Sequence, residues 1–416
     1  MKILHINSGD KNGGAGIAAY RLHRALLDKN QDSMMLVCNK ITNDSTVHGP
    51  RTGFERYSMR AVNFINRRLT SFFYKPEDTF CASISLFDNP LFVRRINDIS
   101  PDIVNLHWVC DGVIRPEFIA KINAPVVWTM HDMWPFCGSE NYVLKSQRHI
   151  QGYSQKNEGV GSKVLDVDRW VFQRKKKVYA KTIKNISFIA PSRWLGEEAK
   201  KSALLKDKRV VHIPNGIDTN KFCPVDKKVA REILGLPLGK KILLYGATGG
   251  TLDSRKGFSL LSQALTHLCG SMDRESFLVT MFGGNAPAPN TVEYNCLSFG
   301  RLTDDVAMVL AYSAADVFVV PSLLDNLPNT ILESLSCGTP VVGFNIGGLP
   351  DMINHEENGC LADPYNIESL ANGIHYVFSN LTEKRMNDSA RNSVVSNFSS
   401  ESQAEKYIGL YSSLLS

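Results

Sequence analysis

The sequence lacks the features that mark several classes of protein. No apolar run approaches the roughly 18 residues that a membrane-spanning helix needs, and no C-x-x-C pair occurs among the nine cysteines. Neither a zinc site nor a dithiol redox motif is therefore indicated. The apolar stretch at the start is too short for a signal peptide, and an odd number of cysteines without such a signal suits a reducing compartment. We therefore expect a cytosolic protein with reduced cysteines.

Repeats and low-complexity tracts are also missing. The sequence shows no internal period of about 20–50 residues and no compositionally biased segment. Its composition, with 43% hydrophobic and 21% charged residues, is that of a globular protein. Because 416 residues exceed the size of one ordinary hydrophobic core, we expect two domains.

Short apolar runs alternate with helical patterns through most of the chain. Many of the runs are continuous stretches of Val, Ile, Leu and Phe, which is typical of parallel strands buried on both faces. The alternation of strands and helices predicts two doubly wound α/β sheets. The predicted strands are Ile3–Asn7, Met34–Cys38, Ile103–Trp108, Val126–His131, Ile186–Ala190, Val210–Ile213, Ile242–Gly246, Phe277–Phe282, Cys296–Phe299, Val317–Val320 and Val341–Phe344.

The two halves of the chain differ in charge. Residues 1–213 carry 33 Lys and Arg against 20 Asp and Glu, whereas residues 214–416 carry 14 against 21. Between the halves lies the turn Pro214-Asn-Gly-Ile-Asp218, which contains two strong breakers and marks the predicted domain boundary. A basic domain joined to an acidic one suggests different partners for the two. The last segment, residues 400–416, is predicted to form an amphipathic helix.

Two carboxylates flank a predicted helix start after the strand Val317–Val320. Asp325 lies in the loop before the helix, and Glu333 lies about two turns into it. Ligands of open α/β sheets bind beyond the carboxyl ends of the strands. Free N–H groups near Asn329 and Thr330 would attract phosphate there, and the carboxylates would hold sugar hydroxyls and a ribose. The alternative is that Asp325 is a plain helix cap and Glu333 a solvated helix residue.

A glycine-bearing loop follows the predicted strand Ile242–Gly246 and ends in two cations before a helix. These cations, Arg255 and Lys256, could neutralise a diphosphate. The loop does not have the spacing of a Walker phosphate loop. Most Arg-Lys pairs lie on solvated surfaces, which is the alternative interpretation here.

Two further candidates lie in the first half. Gly13, Gly14 and Gly16 stand in the loop after the first strand, where glycine lets the backbone approach a ligand. The loop is not a G-x-G-x-x-G fingerprint, and a merely permissive loop is the alternative. His131 ends a strand, which is a favourable place for a site in such a sheet, although a lone histidine is more often structural.

Residues 51–75 and 169–184 interleave basic and aromatic side chains. The second stretch contains the run Arg174-Lys-Lys-Lys177 after Trp170 and Phe172. Such stretches bind anionic membranes or nucleic acids, or are ordinary solvated helix faces.

Taken together, these motifs resemble those of the retaining glycosyltransferases of family 4, and the resemblance covers nearly the whole chain. The first half also looks like enzymes that build bacterial capsule, colanic-acid or O-antigen polysaccharides. The resemblance is carried by the Asp325–Glu333 pair, Ser336-Cys-Gly-Thr-Pro-Val-Val, Gly347-Gly-Leu-Pro-Asp351, Pro214-Asn-Gly-Ile-Asp218, Arg255-Lys-Gly, Leu106-His-Trp and Trp128-Thr-Met-His-Asp-Met-Trp-Pro.

The resemblance implies the GT-B fold, in which two Rossmann-like domains with doubly wound parallel sheets enclose a cleft. An N-terminal, acceptor-binding domain would comprise residues 1–213 together with a returning C-terminal helix, residues 400–416. Residues 214–399 would form the domain that binds the nucleotide sugar.

The family's donor-binding roles map onto matching positions. By this resemblance, Asp325 contacts the transferred sugar, Glu333 holds the nucleotide ribose and Lys256 binds the phosphate. Asn329 and Thr330 would bind the donor at the start of the helix.

Two positions depart from the family pattern, and the first domain supplies the remaining roles. Asp325 stands where the family has glutamate. The family's arginine upstream of the lysine is missing, with Ala247 near its place and Arg255 as the candidate replacement. Gly14 matches the donor-binding glycine loop, and His131 matches a histidine beside the reaction centre. The neighbouring loop positions near that centre are Gly13 and Gly16.

The implied activity is transfer of a hexosyl unit, with retention, from a nucleoside-diphosphate sugar to a glycan acceptor in surface polysaccharide biosynthesis. No cofactor and no metal are implied. A lipid-diphosphate-linked acceptor and the basic first domain together favour peripheral binding to the inner face of an anionic membrane, and disfavour nucleic acid. The alternatives are a nucleotide-sugar 2-epimerase of the same architecture and a non-catalytic protein that binds sugar nucleotides or glycans.

Overall fold

The computed structural model divides into two compact units. Unit 1 comprises Met1–Gly216 and Gln403–Ser416, and unit 2 comprises Ile217–Ser402. The structure describes residues 1–74, 81–144, 146–154, 157, 166–181, 186–247, 253–284, 292–380 and 385–416.

Unit 1 is built on a seven-stranded sheet in which every pairing is parallel. The strand order is β3-β2-β1-β4-β5-β6-β7, so the chain leaves β1 toward one edge and then returns to the other side of β1. The strands are β1 (Lys2–Gly9), β2 (Asp32–Asn39), β3 (Val47–His48), β4 (Ile103–Leu106), β5 (Val126–Thr129), β6 (Ile186–Ala190) and β7 (Val210–His212).

Helices connect these strands. Within the described residues, no helix of the chain combines the length and apolarity needed to cross a bilayer. The helices of this part of unit 1 are α1 (Gly13–Asp28), α2 (Gly53–Phe73), α3 (Pro90–Asp98), α4 (Pro116–Ile119), α5 (Arg148–Gln151), α6 (Val167–Lys181) and α7 (Arg193–Lys201).

Unit 2 repeats the arrangement with a six-stranded parallel sheet in the order β10-β9-β8-β11-β12-β13. Its strands are β8 (Lys241–Gly246), β9 (Phe277–Phe282), β10 (Cys296–Ser298), β11 (Val317–Val320), β12 (Val341–Phe344) and β13 (Gly359–Ala362). Its helices are α8 (Lys227–Ile233), α9 (Phe258–Cys269), α10 (Asp305–Ala314), α11 (Asn329–Ser336), α12 (Ile367–Ser379) and α13 (Arg385–Asn397).

The last helix, α14 (Ser400–Leu415), packs on the sheet of unit 1. Tyr407 and Tyr411 are fully buried there. The Tyr407 hydroxyl lies 2.9 Å from Thr129 Oγ1, and the amide of Asn105 donates to the Tyr411 hydroxyl at 2.8 Å. Since a buried hydroxyl needs a partner, these bonds select the strands on which the helix packs.

The prediction of two doubly wound α/β sheets is confirmed, and β11 shows why continuous apolar runs indicate this fold. Phe318 and Val320 pack into one hydrophobic cluster, whereas Val317 and Val319 pack into another on the opposite face. A strand covered on both faces has no side chain that needs to be polar.

Two strands of the described part of the chain were not predicted. β3 has only two residues, and β13 reads Gly-Cys-Leu-Ala, without a β-branched or aromatic residue. Gly359 is required in β13 because a Cβ there would lie 1.9 Å from the carbonyl oxygen of Val341. Close packing of neighbouring backbones, rather than side-chain preference, therefore determines this strand.

Each sheet has one point where the strand order reverses. In unit 1 it lies between β1 and β4, and in unit 2 between β8 and β11. Ligands of open α/β sheets bind outside the carboxyl ends of the strands at this point. The segments that follow these four strands contain the first turn of α1 (Gly13–Gly16), His107, Lys256 and Asp325.

Candidate functional site

In unit 2, two cations converge on one carboxylate at the carboxyl ends of β8 and β11. Lys256 Nζ lies 2.5 Å from Asp325 Oδ2, and Arg255 Nη1 lies 3.3 Å from the same oxygen. The Asp325 residue is 7% exposed. Arg255 Nη2 also lies 3.5 Å from Asp253 Oδ2, so two cations and two carboxylates meet at this edge of the sheet.

Asp325 is ionised at neutral pH. Burial alone would raise its pKa, but the charges of Lys256 and Arg255 outweigh burial, so that the pKa lies below its ordinary value. The backbone N–H of Asn326 also donates to Oδ1 at 3.0 Å. Asp325 is therefore a fixed negative charge and has no proton to donate near pH 7.

Two glycines permit the close contacts of this loop cluster. Gly257 has φ +71°, and a Cβ there would lie 1.8 Å from the carbonyl oxygen of Pro321. Gly347 has φ +54°, and a Cβ there would lie 2.3 Å from the carbonyl oxygen of Asp325. The cation loop and the aspartate loop thus touch through backbone, which explains the glycine after Lys256.

The helix that follows Asp325 places the second carboxylate inside the unit. Pro328 occupies the N-cap position of α11 without a side-chain hydrogen bond, and Asn329 and Thr330 lie in the half-buried first turn. Glu333 is 4% exposed, and the hydroxyl of Tyr312 donates to its Oε2 at 2.9 Å. Asp325 is therefore not the cap of this helix, and Glu333 is not a solvated helix residue.

In unit 1, His131 is the end of a row of three histidines. His107 Nδ1 lies 3.0 Å from His131 Nε2, and His5 Nδ1 lies 3.0 Å from His107 Nε2. Burial lowers the pKa of all three rings, that of His131 to about 4. All three imidazoles are therefore neutral at neutral pH.

Sequence reasoning named His131 and missed its two partners. His5 lies on β1, while His107 and His131 follow β4 and β5. The sequence signal was a histidine on or just after each of three strands, but only the strand order β1-β4-β5 makes them neighbours.

Asp132 fixes the loop ends beside this row. Its Oδ2 accepts from Trp108 Nε1 at 3.1 Å and from Asn141 Nδ2 at 2.6 Å, and its Oδ1 accepts from the backbone N–H of Trp134 at 3.0 Å. The loops after β4 and β5 are thereby held to each other.

Gly13, Gly14 and Gly16 lie at the same edge of the unit 1 sheet, but in the first turn of α1 and not in the predicted loop, because the helix begins at Gly13. Gly13 begins α1 with φ +72°, Gly14 is exposed, and a Cβ on Gly16 would approach the carbonyl oxygen of Gly9 to 3.1 Å. Asp10 accepts hydrogen bonds from the backbone N–H groups of Ile41 and Thr42. That contact, absent from the sequence reasoning, holds the loop against the one after β2.

The run Arg174–Lys177, predicted to contribute to a membrane-facing surface, is half internal, and that part of the prediction is wrong. Arg174 donates to both carboxylate oxygens of Glu117, at 2.6 and 2.7 Å. Lys175 is fully buried. Tyr74, of the first basic stretch, is also buried against Asp168. Lys75 and residues 182–184 lie outside the described residues.

Lys175 supports the loop that follows His131. Its ammonium group donates to the carbonyl oxygens of Cys137 at 3.2 Å, Gly138 at 2.7 Å and Trp134, and lies 3.7 Å from the centre of the Trp134 ring. Three acceptors match the three protons of an ammonium group.

This burial predicts a pH dependence of stability. Burial lowers the pKa of Lys175 from 10.5 to about 7. Between these values the unfolded chain binds more protons than the folded chain, so the lysine's contribution to stability rises with pH. Relative to Lys175→Met, the wild type should gain up to about 1.4 kcal/mol per pH unit between about pH 8 and 9. Thermal unfolding midpoints at both pH values measure the difference. Lys176→Met, at the exposed neighbouring position, is the matched control, and equal pH slopes for the wild type and Lys175→Met would exclude the effect.

No metal site is apparent in the part of the chain that the structure describes, where no group of three or more His, Cys, Asp or Glu side chains could hold an ion. All nine cysteines are free thiols.

Comparison with curated proteins finds glycosyltransferases. A chain of Escherichia coli named UDP-Gal:alpha-D-GlcNAc-diphosphoundecaprenol alpha-1,3-galactosyltransferase is 28% identical over 48% of this chain and 53% of its own. A D-inositol 3-phosphate glycosyltransferase of Corynebacterium jeikeium is 28% identical over 39% of this chain and 42% of its own. The chain thus spans about half the length of the curated relatives it matches.

Solved structures share the fold over nearly the whole chain. Sucrose-phosphate synthase from Thermosynechococcus elongatus has a TM-score of 0.69 at 20% identity, covering 99% of this chain and 98% of its own. Anabaena HepE in complex with UDP and glucose has a TM-score of 0.66 at 16% identity, covering 99% and 100%. WaaG, a glycosyltransferase involved in lipopolysaccharide biosynthesis, has a TM-score of 0.64 at 14% identity, covering 98% and 99%.

Family profiles match both units. The profile of Glycosyltransferase Family 4 matches residues 12–221, and that of Glycosyl transferases group 1 matches residues 226–393. The first match alone covers half of the chain, and the two parallel sheets are those of a GT-B fold. The chain therefore belongs to glycosyltransferase family 4 and has the GT-B fold.

Proposed function

We propose that the chain is a retaining glycosyltransferase that moves a hexosyl unit from a nucleoside-diphosphate sugar to a hydroxyl of a glycan acceptor. The observation that carries the proposal is the convergence of Lys256 and Arg255 on Asp325 at the point where the unit 2 strand order reverses. That edge combines cations for a diphosphate with an ionised carboxylate for sugar hydroxyls. Anabaena HepE, which shares the fold, has been solved with UDP and with glucose.

In this proposal, Lys256 and Arg255 stabilise the charge that develops on the leaving diphosphate, together with the first turn of α11 at Asn329 and Thr330. Asp325 orients the transferred sugar and Glu333 holds the ribose. The acceptor oxygen bonds to the anomeric carbon on the face from which the diphosphate leaves. The bond to the leaving oxygen breaks, and the acceptor proton passes to the departing phosphate. These cations supply the charge that a divalent metal supplies in other transferases, so the reaction is proposed to need no metal or cofactor.

Unit 1 is proposed to bind the acceptor, with His131 and the glycines Gly13–Gly16 beside the reaction centre. The Escherichia coli relative acts, by its name, on a diphosphoundecaprenol-linked sugar. We therefore propose a lipid-diphosphate-linked acceptor presented at the cytoplasmic face of a membrane, within surface polysaccharide synthesis.

A thermal-shift panel of UDP-, GDP- and ADP-sugars tests donor binding, since a ligand that binds the native state raises the unfolding midpoint. The donor found is then incubated with lipid-linked glycan acceptors. Release of nucleoside diphosphate that depends on acceptor supports transfer, whereas interconversion of the donor without acceptor identifies an epimerase. Donor binding without turnover identifies a binding protein for sugar nucleotides, and no shift with any UDP-, GDP- or ADP-sugar would contradict the use of these donors.

Helix α2 is the surface that we propose for membrane binding. On a helical projection its exposed aromatic rings form one stripe and three of its exposed arginines lie along one flank, while Glu55, its one acid, is buried. Aromatic rings suit the interface, and each engaged cation contributes about 1 kcal/mol near an anionic surface. The rings are Phe54, Tyr57, Phe64 and Phe72, and the flanking arginines are Arg56, Arg60 and Arg67.

We expect the protein to sediment with anionic vesicles at low salt and to be released by salt. Changing the four exposed arginines of α2 to glutamine should lower the bound fraction at limiting lipid, with partition weaker by about tenfold or more. The substituted residues are Arg56, Arg60, Arg67 and Arg68.

The matched control removes four exposed cations from residues 200–209, a stretch that contains no aromatic residue. They are Lys200, Lys201, Lys206 and Arg209. This variant should sediment like the wild type. If both variants lose the same fraction of vesicle-bound protein, binding depends on net charge and not on α2. Wild-type protein that remains in the supernatant at low salt would rule out the membrane surface.

A further inference from the structure

The row His5–His107–His131 does more than bury three rings. We infer that His5 and His107 are positioning residues that lock His131 in the Nδ1–H tautomer, so that His131 serves as a neutral hydrogen-bond donor. The inference rests on the proposed function only in placing His131 beside the reaction centre. The tautomer itself follows from the geometry of unit 1.

The two hydrogen bonds force the three rings to share one tautomer. In each contact one nitrogen must donate and the other accept. If His131 donates from Nε2 to His107 Nδ1, then His107 must donate from Nε2 to His5 Nδ1, and all three rings carry Nε2–H. If the direction is reversed, His5 donates from Nδ1, His107 donates from Nδ1, and all three rings carry Nδ1–H.

The free end of the row decides between the two directions. His5 Nε2 is buried and has no hydrogen-bond partner within the described residues. The nearby ring of His23 cannot serve, because its nitrogens lie 2.8 Å from Ser33 Oγ and 2.8 Å from Thr46 Oγ1. A buried N–H without an acceptor is rarer in proteins than a buried acceptor without a donor. The shared Nδ1–H tautomer avoids that orphan donor.

His5 Nε2, at the end of the row, also prevents the row from conducting a proton. For His131 to take a proton at Nδ1, every ring would shift to Nε2–H, and the buried Nε2–H of His5 would have no acceptor among the described residues. A charged central ring, donating to both neighbours, is disfavoured because burial, and then the charges of His5 and His131, lower the pKa of His107. His131 therefore donates a hydrogen bond and does not act as a general base.

The surrounding backbone keeps the rings in register. Neighbouring ring centroids are 5.3 Å apart in both pairs. The carbonyl oxygen of His107 accepts from Trp128 Nε1 at 3.1 Å, and that of His131 accepts from the Tyr142 hydroxyl at 3.3 Å. The rings stand on or beside β1, β4 and β5, so rotation of one ring would break a bond to its neighbour.

Nitrogen NMR of the full chain, labelled with ¹⁵N-histidine, tests the lock without any substrate. Protonated and bare ring nitrogens differ in chemical shift, and single substitutions assign the signals. We expect Nδ1–H signals from His5, His107 and His131, unchanged between about pH 6 and 8. An Nε2–H signal from any of the three would overturn the inference, whether or not the protein transfers sugar.

Two variants of His107 connect the lock to activity. His107→Phe keeps a ring but removes both bonds, so the His131 signals should become a mixture of tautomers, and kcat should fall by about tenfold to a hundredfold. The KM for the donor should stay constant, because unit 2 holds the diphosphate. His107→Asn can still donate from its amide to His131 and should restore the Nδ1–H signal and part of kcat.

His23→Phe is the matched control. It replaces a buried histidine that contacts His5 edge to face at 5.9 Å but lies outside the row. It should alter stability and leave the His131 signals unchanged. Wild-type His131 signals in His107→Phe would overturn the inference. A locked tautomer in a protein without transferase activity would instead contradict the proposed function alone.

Discussion

Replacement of Lys256 by alanine is expected to weaken binding of the nucleoside diphosphate by about 10- to 150-fold. A charge-assisted hydrogen bond is worth about 1.5–3 kcal/mol, which corresponds to that range of affinity. The substitution also leaves Arg255 as the remaining cation beside Asp325. The negative charge of the carboxylate is then less neutralised and repels the diphosphate more strongly. Both changes act in the same direction. Titration calorimetry with the diphosphate that gives a thermal shift measures the loss.

Lys240→Ala is the matched control for this experiment. Lys240 also forms an ion pair, at 3.0 Å with Glu275, but it precedes β8 and so lies at the opposite edge of the same sheet. Its replacement should leave nucleotide affinity unchanged. An unchanged affinity in Lys256→Ala would remove the phosphate role from this lysine.

The strands of the fold were predictable because the signal lay within each strand. Val317–Val320 and Val341–Phe344 were predicted with the bounds that the structure shows, since their residues are buried on both faces. β13 was not predictable, because its formation depends on the close approach of Val341 to Gly359. A backbone contact between distant residues leaves no local pattern.

The candidate site was predictable as single residues and not as an arrangement. Asp325 and Lys256 each lay in a recognisable loop, but their direct contact follows from the pairing of β8 with β11, which the sequence does not contain. His5 and His107 were not predicted for the same reason, because only the strand order β1-β4-β5 places them beside His131. The prediction for the basic run Arg174–Lys177 was wrong for another reason. One face of α6 is buried and the other is exposed, and Lys175 lies on the buried face whereas Lys176 and Lys177 are exposed.

Replacement of Asp325 by asparagine is expected to lower transfer by about 10²- to 10³-fold, the order of loss caused by removing one preorganised hydrogen-bonding group from an active site. Nucleotide binding should change in the opposite sense. The family roles alone would leave diphosphate affinity unchanged, but Lys256 and Arg255 both contact this carboxylate. Removing its charge frees the cations for phosphate, and we expect up to about tenfold tighter binding of the diphosphate.

Lys256→Ala and Asp325→Asn are expected to change diphosphate affinity in opposite directions. This difference shows whether Asp325 competes with the diphosphate for the cations or only positions Lys256. If Asp325 only positions Lys256, then Asp325→Asn should weaken binding of the diphosphate as Lys256→Ala does, and the proposed division of roles would be wrong. If the two charges compete, the double variant should bind the diphosphate better than Lys256→Ala, because the carboxylate that repels the ligand is gone. Glu275→Gln, which neutralises the carboxylate paired with Lys240 at the far edge of the sheet, should alter neither transfer nor binding.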